Sequence, residues 1–418
     1  MMLGTPYSPA AARRVFLTLT GTRWFPVGLV VGIITLVPLE RGLSVAATLA
    51  ALALTGWVVF ALELPMAGFA DSFGRRPIYL VAAVVNVIAA VVFLLADSFW
   101  TFALAAALTG VFRALDSGPL EAWFVDTVHA TTPGADVDGP LASHSTVLGV
   151  CVAVGALLSG ALVWWHPVEF RSALFLPLAV FVTLNVLHLV ASAVLLREAR
   201  LTTDASAGRR AWQSVRAVPI VIRDGIGLLG SNRVLRGLVF VGVFWALAMV
   251  VFETFQPIRL AELVGGEERA GAVMGPVAAA GWAVFALGAT GAGLLSRQLG
   301  PVRTAILARI LNGLGAVVMG LVVGPVALVA AYLLTYGLHG SGGPVHRALL
   351  HREAHSGNRA TVLSIDSMMM FGAYSLATPL LGLFADHTST QAAMVLAGAL
   401  SLLGALCYRP ALRRERKT

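Results

Sequence analysis

Charge is what this chain has least of. Asp, Glu, Lys and Arg make up 12% of its 418 residues, about half the share that a soluble domain carries. That deficit excludes an ordinary soluble fold. Cysteine is nearly absent: Cys151 and Cys407 are the two, both inside apolar runs, where they read as small packing residues and not as a disulfide or a metal site. No Gly-x-x-x-x-Gly-Lys-Ser/Thr phosphate loop occurs, so ATP-driven work by this chain alone is not expected. No Gly-x-Ser-x-Gly elbow occurs either. His351-Arg352-Glu353-Ala354-His355 holds two His at i, i+4 but lacks the His-Glu-x-x-His order and a third ligand. It reads as a solvated link. Neither an enzyme nor a cofactor is expected.

What the chain does have is apolar length. Hydrophobic residues make up 58%, in runs near or above the roughly 20 residues needed to cross hydrocarbon. Lipid cannot satisfy backbone N–H and C=O groups, so runs of this length must be helices. Twelve are expected, at 15–38, 45–70, 78–96, 99–125, 144–166, 171–196, 234–258, 271–296, 302–323, 325–346, 360–385 and 390–408. Arg13 and Arg14 precede a first run too long for a cleavable leader, which is expected to stay as a span. The net charge of +8 is distributed by side. Arg41, Arg171, Arg259 and Arg269 fall on one set of links. Arg75, Arg76, the run from Arg197 to Arg236, Arg297, Arg303, Arg347, Arg352, Arg359 and the tail from Arg413 to Lys417 fall on the other. Positive charge accumulates on the cytoplasmic side, so both termini are expected there. The basic balance then reflects contact with anionic lipid, not nucleic acid.

The chain repeats. Ala67-Gly68-Phe69-Ala70-Asp71-Ser72-Phe73-Gly74-Arg75-Arg76-Pro77 returns 226 positions later, more weakly, as Gly293 to Arg303. Gly118-Pro119 to Asp126 matches Gly343-Pro344 to His351 at an offset of 225. Duplicated halves usually enclose a midplane site and alternate its access. The expected organisation is a six-helix bundle over 1–196, a connector with an interfacial helix over 197–233, a second six-helix bundle over 234–408, and a basic cytoplasmic tail over 409–418. Gly28 and Gly32, and Gly288, Gly291 and Gly293, are expected to let helices approach closely. Pro26, Pro65, Pro119, Pro257, Pro276, Pro344 and Pro379 are expected to kink their helices.

The link between the second and third runs resembles the loop signature of the major facilitator superfamily of secondary transporters. Ala70, Asp71, Gly74, Arg75 and Arg76 match it. Glu63-Leu64-Pro65, with Arg113 to Trp123 in the fourth run, looks like a bacterial drug-efflux branch. The Gly-Pro motif of that branch is missing from the fifth run, where Gly149, Gly155 and Gly160 stand without the proline. The resemblance covers residues 13–408. It implies an all-α membrane protein of twelve transmembrane helices in two pseudo-symmetric six-helix bundles, multi-pass in the inner cell membrane. It implies a gate built from Gly68, Asp71, Gly74, Arg75, Arg76 and Asp126, with Arg75 bridging Asp71 to Asp126. Asp71 is expected to face the start of the eleventh span near 358–361.

Ionisable residues inside the spans complete the reading. Arg23, Glu63, Arg113, Asp116, Glu121, Glu253, His339 and Asp366 each cost about 2.5–3.5 kcal/mol at a helix centre unless paired or hydrated. Glu63, Asp116 and Asp366 are the expected proton carriers, with Arg113 and Arg23 tuning them, because a nearby cation favours the carboxylate. Glu63 and Asp366 are expected to approach each other in at least one state, with a pair between Glu63 and Arg23 or Arg113 as the rival reading. Trp24, Glu121, Trp245, Glu253 and His339 are candidates for a substrate cavity. The expected function is proton-coupled efflux of a lipophilic or amphipathic small molecule by a monomer whose partners are that substrate, protons and membrane lipid. The alternatives are import of a polar or anionic solute held by Arg23 and Arg113, and a membrane sensor or assembly factor of the same fold.

Overall fold

Every run marked as a span by the sequence is mainly helical. The computed structural model describes residues 7–197, 207–355 and 358–415. Its helices begin with α1 (Pro9–Val31), α2 (Leu36–Glu40), α3 (Val45–Phe73), α4 (Arg75–Leu95), α5 (Phe99–Leu115), α6 (Pro119–Thr131), α7 (Asp138–Trp165) and α8 (Phe175–Leu195). They continue with α9 (Ala207–Ser231), α10 (Arg233–Met249), a π-helical turn (Val250–Phe255), α11 (Gln256–Val264), α12 (Glu267–Leu299) and α13 (Pro301–Leu321). The last are α14 (Pro325–Glu353), α15 (Arg359–His387), α16 (Thr390–Ser401), a 3-10 turn (Leu402–Tyr408) and α17 (Arg409–Glu415). No strand occurs among the described residues.

Among the described residues, ten helical segments are long and apolar enough to cross a membrane. The expected twelve also include α1 and α14. At 23 and 29 residues these two are long enough, about 35 and 44 Å at the rise of an α-helix. Polarity sets them apart: α1 carries Arg13, Arg14 and Arg23, and α14 carries His339, His346, Arg347, His351, Arg352 and Glu353.

The chain forms two compact units, Met1–Gly32 with Val58–Val218, and Ile33–Trp57 with Pro219–Thr418. Ile33–Trp57 groups by contact with the second unit. There Ala46 N–H donates to Asp386 at 3.1 Å, and a Cβ on Gly382 would sit 3.1 Å from the Ala46 Cα.

In the first unit a Cβ on Gly28 would overlap the Val152 carbonyl, and one on Gly155 the Phe25 carbonyl. Helices in lipid gain little from the hydrophobic effect when they meet, so such backbone approach is their main route to dispersion contact. Phe16, Trp123, Phe124 and Val128 form a buried cluster, with Phe16 stacked on Phe124 at 4.6 Å. Val81, Val84, Ile88, Val91 and Leu95 recur on one exposed stripe of α4, the apolar face that hydrocarbon would cover.

In the second unit α12 meets α14 through glycine. A Cβ on Gly288 would overlap the Gly337 carbonyl, and one on Gly340 the Phe285 carbonyl. Gly291 and Gly293 do not share this role, for nothing lies within 4 Å of a Cβ built on either.

Two repeat features diverge in an instructive way. The loop glycines match: Gly74 has φ +95° and Gly300 φ +80°, a conformation that side chains disfavour. Each directly precedes a helix, α4 and α13. The Gly-Pro copies do not match. Gly118 has φ +93° and Pro119 starts α6, so the fourth span is two helices broken at 116–118. A proline ring clashes with the carbonyl four residues back and lacks an N–H. Its copy Pro344 is carried inside α14 without a break. Pro119 therefore breaks its helix, and Pro257 lies in the first turn of α11, just after the π turn.

Candidate functional site: buried polar networks in both units

The break at 116–118 creates the first network. Asp116 caps the end of α5 and its carboxylate meets Arg23 of α1, Nε to Oδ2 at 2.9 Å, with the two side chains 8% and 15% exposed. The guanidinium also lies 4.3 Å from the Phe112 ring centroid and 4.9 Å from that of Trp24. Tyr79 of α4 is near enough to feel both charges. Its hydroxyl is 3.2 Å from His188 Nε2, and His188 Nδ1 is 2.9 Å from Thr22 Oγ1. Carboxylate, guanidinium, phenol and imidazole thus cluster across α1, α4, α5 and α8 inside the unit. Above them the Asn86 amide donates to Asn185 at 2.6 Å.

Other sequence candidates of this unit lie at the edge of that network, with Arg113 still near enough to Asp116 for its charge to act on the carboxylate. Arg113 and Glu121 are exposed, and Glu121 is 3.7 Å from His144. Arg75 Nε and Asp126 Oδ2 stand 3.5 Å apart, which brings together two of the three residues of the expected Asp71–Arg75–Asp126 bridge. Arg76 donates to the Ala193 carbonyl at 3.1 Å and so holds the loop against the end of α8. The side chains of Glu63 and Asp71, and the surroundings of Gly68, lie outside the described residues. Arg23, one of the two rival partners for Glu63, is engaged by Asp116.

The second network is in the second unit. Asp366 of α15 lies 3.3 Å from His346 Nε2, and His346 Nδ1 is 2.9 Å from the Tyr408 hydroxyl. Trp245 of α10 donates its indole N–H to His339 Nδ1 at 2.9 Å. An indole can only donate, so His339 is neutral with its proton on Nε2. Arg309 of α13 stacks over Trp245, 4.0 Å from the ring centroid. Glu253 sits in the π turn, a local form common at functional sites, and faces the Tyr336 hydroxyl. Tyr332 and Tyr336 stack at 5.2 Å.

Trp245, Glu253, His339 and Asp366 were all legible as candidates. Arg309, His346, His188, Tyr79 and Tyr408 were missed. Arg309 and His188 lie inside the runs 302–323 and 171–196, so scanning every span for ionisable residues would have found both. Tyr79 and Tyr408 give no such signal, because a tyrosine in an apolar run is ordinary.

A multi-helix membrane bundle with buried ionisable clusters defines the class: a multi-pass membrane protein with a transporter fold. The sequence matches the Major Facilitator Superfamily model over residues 16–355. The chain belongs to the Major Facilitator Superfamily. The fold resembles the crystal structure of nucleoside transporter NupG, with TM-score 0.76, 11% identity and coverage of 95% of this chain and 98% of that one. It also resembles a mutant of peptide transporter POT, with TM-score 0.73, 14% identity and coverage of 98% and 99%. A POT family transporter in complex with 5-aminolevulinic acid aligns with TM-score 0.69, 14% identity and coverage of 96% and 95%. At these identities the likeness concerns the fold. No curated protein sequence matches significantly.

Proposed function

We propose that the protein is a proton-coupled secondary transporter that exports an amphipathic small molecule across the inner cell membrane by alternating access. The observation that carries this reading is the Arg23–Asp116 pair, buried in a membrane bundle and continued by Tyr79 and His188. A carboxylate held by one guanidinium keeps its charge while the pair is closed. If substrate binding or rocking parts them, burial favours protonation. The pair can then convert motion into proton uptake and release. His346 gives Asp366 the same opportunity in the second unit, and Arg75 with Asp126 supports a gate at the repeated loop.

The test is substrate accumulation in cells expressing the chain, with and without a protonophore. Export predicts that collapse of the gradient raises accumulation, and Asp116→Asn does the same without the protonophore. A fall in accumulation would favour import of a polar or anionic solute. No change for any substrate would favour a sensor or assembly factor.

A further inference from the structure

The two units treat their buried arginines differently. Arg23 lies against two aromatic rings and has a carboxylate at 2.9 Å. Arg309 has the aromatic face, Trp245 at 4.0 Å, but no carboxylate. It is 3% exposed, and its Nη2 is buried with no hydrogen-bond partner among the described residues. The acids of its unit nearest this group of helices are engaged elsewhere, Asp366 by His346, and His346 in turn by Tyr408, and Glu253 by the Tyr336 hydroxyl. Arg309 lies eight residues into α13, about 12 Å from its start, and His339 is the midpoint of α14, about 21 Å from either end. The unpaired cation is therefore deep in the bundle, where an unsatisfied guanidinium is costly and cannot be neutralised by losing its proton.

Stacking satisfies the face of a guanidinium, not the N–H groups in its plane. Those groups match a carboxylate. The chain also keeps Arg309 in place: Gly342 of α14 leaves the room that Nη2 occupies, since a Cβ there would fall on it. Around this point the rings of Trp245, Phe252, Phe285 and Tyr336 lie 4.7–5.7 Å from His339. His339 has its Nε2 proton available to a further acceptor. One fixed cation, one neutral donor and a wall of rings suit a monoanion with a flat apolar body.

We propose that Arg309, Trp245 and His339 form a subsite for the carboxylate of an aromatic monocarboxylic acid, and that amphipathic organic acids of this kind are the transported class. This rests on the transporter reading for its second half only.

The experiment is binding to the purified full-length protein in detergent, read by thermal stabilisation, since a ligand that binds the folded state raises apparent stability. The probes are benzoate, 2-naphthoate and indole-3-acetate, each against its neutral amide. At least one acid should stabilise the protein and its amide should not. Arg309→Gln should weaken that binding about 10- to 100-fold, the value of hydrogen bonds to a charged group, and Arg309→Lys less. Gly342→Ala keeps the charge and displaces the guanidinium, so it should weaken binding as well and serves if Arg309→Gln does not fold. Stabilisation by none of the acids, or equal stabilisation of wild type and Gly342→Ala, overturns the subsite. So does restored stability when Arg309→Gln is combined with Asp366→Asn, which would make Arg309 the partner of Asp366. Binding without proton-dependent flux would instead overturn the transporter reading and leave the subsite standing.

Discussion

Removing the carboxylate of Asp116 should destabilise the first unit far more than removing the whole ion pair. Asp116→Ala leaves Arg23, 7% exposed, without a counter-charge. Breaking a buried pair by deleting one partner costs about 3–5 kcal/mol. Here the low end applies, because Asp116 keeps 15% of its side chain exposed, so water can reach the vacated place. Phe112 and Trp24 also remain against the guanidinium at 4.3 and 4.9 Å, a contact worth up to about 2 kcal/mol when desolvated. A loss of about 3 kcal/mol follows. Arg23→Met with Asp116→Ala removes both charges and keeps an apolar side chain in α1. It should cost no more than about 1 kcal/mol, giving a coupling of about 2 kcal/mol in a double-mutant cycle. Reversible SDS titration of the purified protein in mixed micelles measures all four corners of the cycle. Additivity within about 0.5 kcal/mol would refute the pair as a structural unit of the membrane interior.

The glycine seam is tested by contrast: Gly288→Ala should destabilise the protein or separate α12 from α14, because its Cβ meets backbone, whereas Gly291→Ala, with nothing within 4 Å, should be tolerated within about 0.5 kcal/mol. Equal melting temperatures for the two variants would contradict that seam. Asp126→Asn removes an ion pair whose members are 26% and 65% exposed, so stability should change by less than about 1 kcal/mol while transport rate falls if the loop is a gate; unchanged flux would argue against the latch. Asn86→Leu strands the Asn185 acceptor and should cost about 0.6–1.7 kcal/mol, the range for interhelical hydrogen bonds in membranes, and a cost-free substitution in the same SDS titration would show that the 2.6 Å bond adds nothing.

The sequence alone determined what depends on counting along the chain. A run of twenty apolar residues can satisfy its backbone in lipid only as a helix, so the spans were legible without a partner. The repeated Gly74 and Gly300 were legible for the same reason: a loop that needs positive φ selects glycine locally. The pairing of Arg75 with Asp126 came from resemblance, and the structure sets them side by side. Tertiary structure decided everything that depends on which helix faces which. Asp116 could have met Arg113, three residues away, and instead meets Arg23, 93 positions away, because the break before Pro119 turns it toward α1. Gly118-Pro119 and Gly343-Pro344 are one motif, yet the first ends a helix and the second does not. Local sequence fixes the cost of a proline, and neighbouring helices decide whether the chain bears it. Gly288 and Gly291 differ by less than one helical turn, but only one of them lies on the face that meets α14. Arg309 is a lone charge in an apolar run on paper. Its meaning comes from what surrounds it, a tryptophan face and no acid, and no one-dimensional pattern records a missing partner.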